Sequence, residues 1–170
     1  MRALCLAVPL LLLCAPGCVS IVQQGPAFGS QIPRPASETP ASPTDLREAL
    51  RHSALSYVGV PYVYGGSGSD GLDCSGLTMR VYGEHGIELA RTAADQFKKG
   101  KPRWRTELLP GDLVFFETQK DAGATHVGVF VGDGRFVHAP RDGKRVEVTE
   151  LASPYWQAAF LAGRDYVGKE

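Results

Sequence analysis

The residues best suited to chemistry are Cys74, His126 and His138. Cys74 follows Asp73 and precedes a segment in which apolar residues recur at helical spacing from Leu77, so Asp73 is predicted to cap a helix that begins at Cys74. A helix N-terminus and a nearby imidazolium both lower the pKa of a thiol and favour the nucleophilic thiolate. The sequence therefore predicts a nucleophilic cysteine that needs a histidine close to it in space.

The two histidines fall on neighbouring predicted strands. His126 begins one strand and His138 ends the next, with a glycine-rich turn signal at residues 132–134 between them. Antiparallel pairing across that turn brings the two residues near each other, so one is expected to be the base and the other to orient it. Zinc bound by these histidines and Cys74 is the alternative, but the chain has no C-x-x-C or H-E-x-x-H spacing. We predict no metal and no cofactor.

The elements that must position these residues are helices first and strands after. Helices are predicted over residues 45–58, 74–85 and 92–99, with a short helical turn at 154–156. Strands are predicted over residues 112–117, 126–131, 135–139, 145–149 and 161–167. Thr44 is the expected cap of the first helix, and His52 and His85 are expected to be solvated. Helices followed by an antiparallel sheet predict an α+β fold.

Residues 1–17 have the layout of a signal peptide, with a positive start, a short apolar run and small residues at the end. The segment that ends at Cys18 resembles a bacterial lipobox. That resemblance implies export, lipidation of Cys18 and, because no Asp follows, sorting to the periplasmic face of the outer membrane. Plain secretion is the alternative. The other N-terminal cysteines would leave with the signal, so Cys74 would be the free thiol of the mature chain.

The rest of the chain divides into a tether and a domain. Residues 18–43 are predicted to be a lipidated N-terminus and proline-rich linker, and residues 44–170 a single domain. The 18 basic and 18 acidic side chains give a net charge of zero. A phosphate backbone needs a basic surface, so nucleic acid is not an expected partner.

Several sequence blocks together resemble the NlpC family of cell-wall peptidases. They are VPYVYGG at residues 60–66, DCSG at 73–76, the block 89–96 around Arg91, PGDLVFF at 110–116, HVGV at 126–129 and FVHA at 136–139. The sequence PYW at 154–156 resembles the lipoprotein branch that acts as murein endopeptidases. The resemblance implies a papain-like fold in which N-terminal helices pack on a small antiparallel sheet.

The resemblance also assigns roles to residues. It implies that Cys74 attacks the scissile carbonyl, that His126 is the general base and that His138 orients His126. It further implies a substrate-binding set of four residues, which are Tyr62, Asp73, Ser75 and Arg91. Tyr62 is expected beside the nucleophile, and Arg91 is expected to pair with a substrate carboxylate or with a structural acid.

The function implied is hydrolysis of peptidoglycan stem peptides through a thioester, by an enzyme held at the membrane by a lipid anchor. The favoured bond is the D-alanyl–diaminopimelate cross-link. The D-glutamyl–diaminopimelate bond, amide or acyl transfer through the same thioester, and a non-catalytic wall-binding lipoprotein are the alternatives.

Overall fold

The structure is a computed structural model that describes residues 42–168. The predicted signal peptide, the lipidation site at Cys18 and the linker up to residue 41 lie outside the described residues, so these assignments stay predictions. Among residues 42–168, no helix has both the length and the apolar character that a bilayer crossing requires.

The described chain is built from four α-helices and eight strands, close to the predicted order. The helices are α1 (Pro43–Ser56), α2 (Cys74–Gly83), α3 (Ala93–Phe97) and α4 (Pro154–Ala159), with a 3₁₀ turn at Arg105–Glu107. The strands are β1 (Ser67–Gly68), β2 (Gly71–Leu72), β3 (Lys101–Arg103), β4 (Leu113–Phe116), β5 (His126–Gly132), β6 (Arg135–His138), β7 (Glu147–Glu150) and β8 (Phe160–Asp165). Strands β3 to β8 form one antiparallel sheet in the order β3-β8-β4-β5-β6-β7, and β1 and β2 form a separate ribbon. The predicted α+β class is confirmed.

The start of α1 differs from the prediction, because Ser42 and not Thr44 is its cap. The Ser42 hydroxyl accepts from the N–H of Asp45 at 3.2 Å, and the Asp45 carboxylate accepts in return from the N–H of Ser42 at 3.1 Å. Pro43 occupies the first helical position, where its missing N–H costs nothing. Ser42 and Asp45 therefore form the capping pair, and α1 begins at Pro43 instead of at the predicted residue 45.

The sheet buries a different apolar cluster on each face. The face towards α1 and α2 contributes Val127, Val129 and Val137 to the larger core, with Leu50 and Leu77 from the helices. The opposite face forms a smaller aromatic cluster, whose members include Phe116, Phe130, Phe136, Trp156 and Phe160. Side chains alternate along a strand, so His126 and His138 lie on this second face with the aromatic residues.

A buried ionic cluster fixes α1 to the sheet. The Arg47 guanidinium lies 2.8 Å from the carboxylate of Asp112 and 2.7 Å from that of Asp165. Arg103 also contacts Asp165, at 2.6 Å. Asp112 accepts from the N–H of Leu109, but it is fully buried and its main partner is Arg47. Removing one partner of such a pair typically costs about 3–5 kcal/mol, so this cluster holds the helical layer in place.

Candidate active site

Cys74 is the first residue of α2, as predicted, and Asp73 caps the helix. An Asp73 carboxylate oxygen accepts from the N–H of Gly76 at 2.6 Å. A Cβ on Gly76 would lie 2.0 Å from the carbonyl oxygen of Gly66, so only glycine fits where the Gly66 loop passes the helix start. The same carbonyl accepts from the N–H of Asp73 at 2.9 Å. The DCSG block thus fixes a half-buried thiol at the N-terminus of a helix that packs against the sheet.

A charged network surrounds the start of α2. Arg91 places its guanidinium 2.6 Å from the Asp73 carboxylate and 3.0 Å from the Ser75 hydroxyl. Of the two partners expected for Arg91, the structure contains the structural acid, which is Asp73. Gln96 is buried beneath this network and donates to the carbonyl oxygens of Ser75 and Ala90. Three of the four predicted substrate-binding residues are therefore neighbours of Cys74 that already bond to one another.

The thiol is not activated in the way that the sequence suggested. Burial raises the pKa of Cys74, and the nearby Asp73 carboxylate raises it further. Backbone N–H groups of Val127, Ser75 and Cys74 itself act in the opposite direction without reversing the shift. The prediction of a lowered thiol pKa is wrong, because desolvation and one adjacent anion outweigh the effect of the helix N-terminus. Cys74 therefore rests as a neutral thiol.

The two histidines are joined directly, as predicted. Nε2 of His126 lies 2.9 Å from Nδ1 of His138, and Nε2 of His138 lies 3.1 Å from the Thr149 hydroxyl. The residues are diagonal neighbours on one face, because β5 and β6 pair Val129 with Val137. Only the tautomer with a proton on Nε2 of His126 leaves its Nδ1 free to accept another proton. In that tautomer His138 accepts at Nδ1 and donates at Nε2.

The surroundings of the histidines keep both rings neutral. Burial lowers the pKa of His126 to about 4, and burial together with repulsion from His126 lowers the pKa of His138 to about 3. The Trp156 ring packs against both, with centroid distances of 5.3 Å to His126 and 4.8 Å to His138. Glu147 is the nearest carboxylate, 3.7 Å from Nε2 of His138, and it favours a proton on that nitrogen.

The thiol and the histidine pair meet at the start of β5. Cys74 packs against the core that contains Val127, the backbone N–H of Val127 is near enough to the sulfur to lower the thiol pKa, and Val127 follows His126 directly in the strand. Within residues 42–168, no hydrogen bond yet joins the thiol to either imidazole, whose bonds go to each other and to Thr149. Such contacts are often long before substrate binds. The arrangement suits a neutral thiol that transfers its proton to a neutral imidazole.

Tyr62 lies near the Cys74 thiol, where the family resemblance predicted it. Its N–H donates to the carbonyl oxygen of Lys144 at 2.9 Å, and its backbone bridges Leu72 just before the start of α2. Burial raises the pKa of the Tyr62 phenol, and the proximity of Cys74 raises it further. The phenol is therefore a neutral hydrogen-bond donor near the thiol.

Other parts of the site and its surroundings were not predicted, or were predicted differently. The Thr149 contact with His138 was missed, since β7 gives no signal of which residue faces the histidine. His85, expected in solvent, is half-buried and bonds the Ser53 hydroxyl at 2.9 Å, whereas His52 is exposed. Among the described residues, no three His, Cys, Asp or Glu side chains converge as metal ligands.

Comparison with known proteins places the chain in a family. Residues 59–165 match the NlpC/P60 family. The murein DD-endopeptidase MepH of Escherichia coli is 41% identical over 114 residues, which cover 65% of this chain and 42% of that protein. The γ-D-glutamyl-L-lysine dipeptidyl-peptidase of Bacillus cereus is 32% identical over 126 residues, 74% of this chain and 38% of that protein. The chain thus spans less than half the length of these two relatives.

Solved structures agree with the fold. An NlpC/P60 family protein from Bacillus cereus superposes with a TM-score of 0.68 at 31% identity, over 75% of this chain and 43% of that one. A lipoprotein-like NLP/P60 protein from Staphylococcus aureus gives a TM-score of 0.67 at 33% identity, over 78% of this chain and 46% of that one. The predicted papain-like arrangement of helices on an antiparallel sheet is confirmed.

Proposed function

The chain belongs to the NlpC/P60 family, and from this premise we propose that it is a cysteine peptidase that hydrolyses stem-peptide bonds of peptidoglycan. The observation that supports this function most directly is the meeting, at the start of β5, of a thiol at a helix N-terminus with a hydrogen-bonded histidine pair. Cys74 is the proposed nucleophile, His126 the base and His138 the residue that orients the base.

The proposed reaction begins from a neutral thiol and a neutral imidazole. As the sulfur of Cys74 attacks the scissile carbonyl carbon, its proton moves to Nδ1 of His126, and the N–H of Cys74 at the helix start donates to the developing oxyanion. The tetrahedral intermediate collapses to a thioester, and His126 gives the proton to the departing amine. Water then attacks the thioester with His126 again as base, which releases the acid and restores the thiol.

The substrate-binding set is proposed to bind the acyl part of the substrate. Its members are Tyr62, Asp73, Ser75 and Arg91. Tyr62 offers a neutral phenol near the thiol, and Arg91 is 42% exposed in its side chain although paired with Asp73. The guanidinium can thus keep its ion pair and still face a substrate group. Ser75 is buried and bonded to Arg91, so it also holds that guanidinium in place.

The proposed bond is the D-alanyl–diaminopimelate cross-link. A relative named a murein DD-endopeptidase is the support, at 41% identity. The D-glutamyl–diaminopimelate bond is the second candidate, because other relatives are named γ-D-glutamyl-L-lysine dipeptidyl-peptidases at 32% identity. Export and lipid anchoring through Cys18 complete the proposal and depend on the sequence of residues 1–18.

The test is digestion of purified, diaminopimelate-containing peptidoglycan by the full chain, with products read by mass spectrometry. Conversion of cross-linked dimers to monomers with intact stems would establish the cross-link as the bond cut. Stems cut after D-glutamate would establish the second candidate. Cys74→Ala is the matched control, and we expect it to keep the fold and lose both activities. Cleavage by a pure Cys74→Ala sample would overturn the proposed nucleophile.

A further inference from the structure

A cavity of about 540 Å³ is lined by His126 and His138 but not by Cys74. The position of these histidines decides which part of a substrate the cavity would hold. The base must hand its proton to the leaving amine, so the amine side of the scissile bond lies on the histidine side of the thiol. The cavity is therefore placed for the residue that supplies the leaving amine.

The cavity has a definite chemical character. Arg141 and Lys144 are two cations in its wall, Glu147 is one anion and Trp156 is a flat apolar surface. A wall with two cations and one anion favours a ligand that carries a carboxylate, and the indole favours an aliphatic chain next to it.

The loop that carries both cations is anchored at its end. The carbonyl oxygen of Lys144 accepts from the N–H of Tyr62 at 2.9 Å, and the N–H of Val146 donates to Val60 at 2.8 Å. Arg145 points elsewhere, since its guanidinium donates to the carbonyl of Gly59 at 2.8 Å. Lys144 is thus presented from backbone that is paired with the neighbouring segment, and the carbonyl oxygen of Arg141 accepts from the N–H of Lys144 at 3.1 Å across the turn. Ordered backbone limits the entropy lost when a ligand binds.

We propose that this cavity binds the diaminopimelate residue on the amine side of the scissile bond and selects it by its free carboxylate. The carboxylate faces Arg141 and Lys144, and the methylene chain lies against Trp156. The proposal rests on the proposed function. It is made for the cross-link, in which the free carboxylate of diaminopimelate is on the carbon that bears the scissile nitrogen. Lysine is the same chain without that carboxylate, so a lysine-containing stem is expected to be the poorer substrate.

The experiment compares two synthetic cross-linked stem peptides that differ only in diaminopimelate or lysine at the amine-donating position. The full chain is assayed beside the double variant Arg141→Gln/Lys144→Gln. A double variant with the same change of charge, Lys98→Gln/Lys99→Gln, is the control, because these two lysines lie outside the cavity wall, at the end of α3. Kinetic constants are measured for each protein on each peptide.

We expect the unaltered chain to prefer the diaminopimelate peptide by roughly five- to tenfold in kcat/KM, the size that two partly solvated charge contacts provide. Arg141→Gln/Lys144→Gln should remove most of that preference through a higher KM and leave the lysine peptide within about twofold. The control variant should keep the preference.

Equal rates for both peptides with the unaltered chain would overturn the cavity assignment while leaving the peptidase function intact. The cavity assignment also fails if Arg141→Gln/Lys144→Gln slows both peptides equally. No cleavage of either peptide, by protein whose thiol still reacts with iodoacetamide, would count against the proposed function itself and remove the basis of the cavity assignment with it.

Discussion

The two halves of the candidate site differ in the side chains that surround the reactive group, which are charged in one half and aromatic in the other. On the thiol side, Asp73, Ser75 and Arg91 form a charged network at the start of a helix, and the Arg91 side chain is partly open to solvent. On the histidine side, His126 and His138 are buried with aromatic rings on the far face of the sheet. A charged network thus surrounds the nucleophile, whereas burial keeps the imidazole of the base neutral.

Both halves of the site favour the neutral forms of the Cys74 thiol and the His126 imidazole. Burial and Asp73 raise the pKa of the Cys74 thiol, and burial lowers the pKa of His126 to about 4. A preformed thiolate–imidazolium pair would require shifts of the opposite sign. Proton transfer is therefore expected to accompany attack on the substrate, as in serine hydrolases. Changes that alter one half and spare the other test this division.

The largest effect is expected from the loss of the base. His126→Ala removes the acceptor of the thiol proton and the donor to the leaving amine, and we expect cleavage to fall by about 10³-fold. The measurement is the initial rate of muropeptide cleavage, with circular dichroism as the check on folding. His52→Ala is the matched control, because His52 is exposed on α1, and it should retain full activity. Activity within tenfold of normal in His126→Ala would exclude His126 as the base.

The neutral histidine pair should make the fold sensitive to acid. In the unfolded chain both rings titrate near 6.5, while in the folded chain the pKa of His126 is about 4 and that of His138 about 3. Below pH 6.5 the unfolded state therefore binds protons that the folded state excludes. The free energy of unfolding should fall by about 1.4 kcal/mol per pH unit for each histidine, down to about pH 4. Urea unfolding at several pH values between about 7.5 and 4.5 measures this slope.

A single substitution separates this cause from general acid unfolding. His138→Asn keeps a polar partner for His126 but removes one of the two titrating groups. The histidine-dependent part of the slope of unfolding free energy against pH should drop by about half. The reason is that unfolding then takes up one proton on these histidines instead of two. An unchanged slope would mean that acid acts on other groups, such as the carboxylates of Asp73 and Asp165, whose pKa values are lowered in the folded chain.

The sequence predicted the parts of the site that depend on local rules. The helix start at Cys74, the cap by Asp73 and the pairing of His126 with His138 across a short turn all follow from neighbouring residues and side-chain periodicity. The helix and strand boundaries were close for the same reason. The catalytic and substrate-binding roles of these residues remain proposals.

What the sequence missed depends on contacts between distant segments. The Thr149 contact with His138 needs the register of β6 with β7, and the choice of Asp73 as partner of Arg91 needs the path of the intervening loop. The sign of the thiol pKa shift was wrong for a related reason. The helix N-terminus is a local feature, whereas the burial that outweighs it comes from packing against the larger core.

The smallest and most discriminating effect concerns the charge beside the thiol. Asp73→Asn removes an anion that raises the pKa of Cys74 but keeps a side chain that caps helices as well as aspartate does. The thiol pKa should fall, and alkylation of Cys74 by iodoacetamide at neutral pH should become several-fold faster. Arg91→Gln leaves Asp73 without its counter-ion, so the thiol pKa should rise and alkylation should slow. Alkylation is measured without substrate, so a role of these residues in substrate binding does not enter.

The opposite signs make this pair of variants informative about cause. If the network acted only by holding the start of α2 together, both substitutions would loosen it and both would change alkylation in the same direction. If it acts through charge, the double variant Asp73→Asn/Arg91→Gln should be alkylated at a rate between those of the two single variants, because Arg91 also interacts directly with the Cys74 thiolate. Alkylation rates measured from about pH 6 to 10 give the thiol pKa of each variant. A common direction of change would remove the electrostatic role proposed for the charged half of the site.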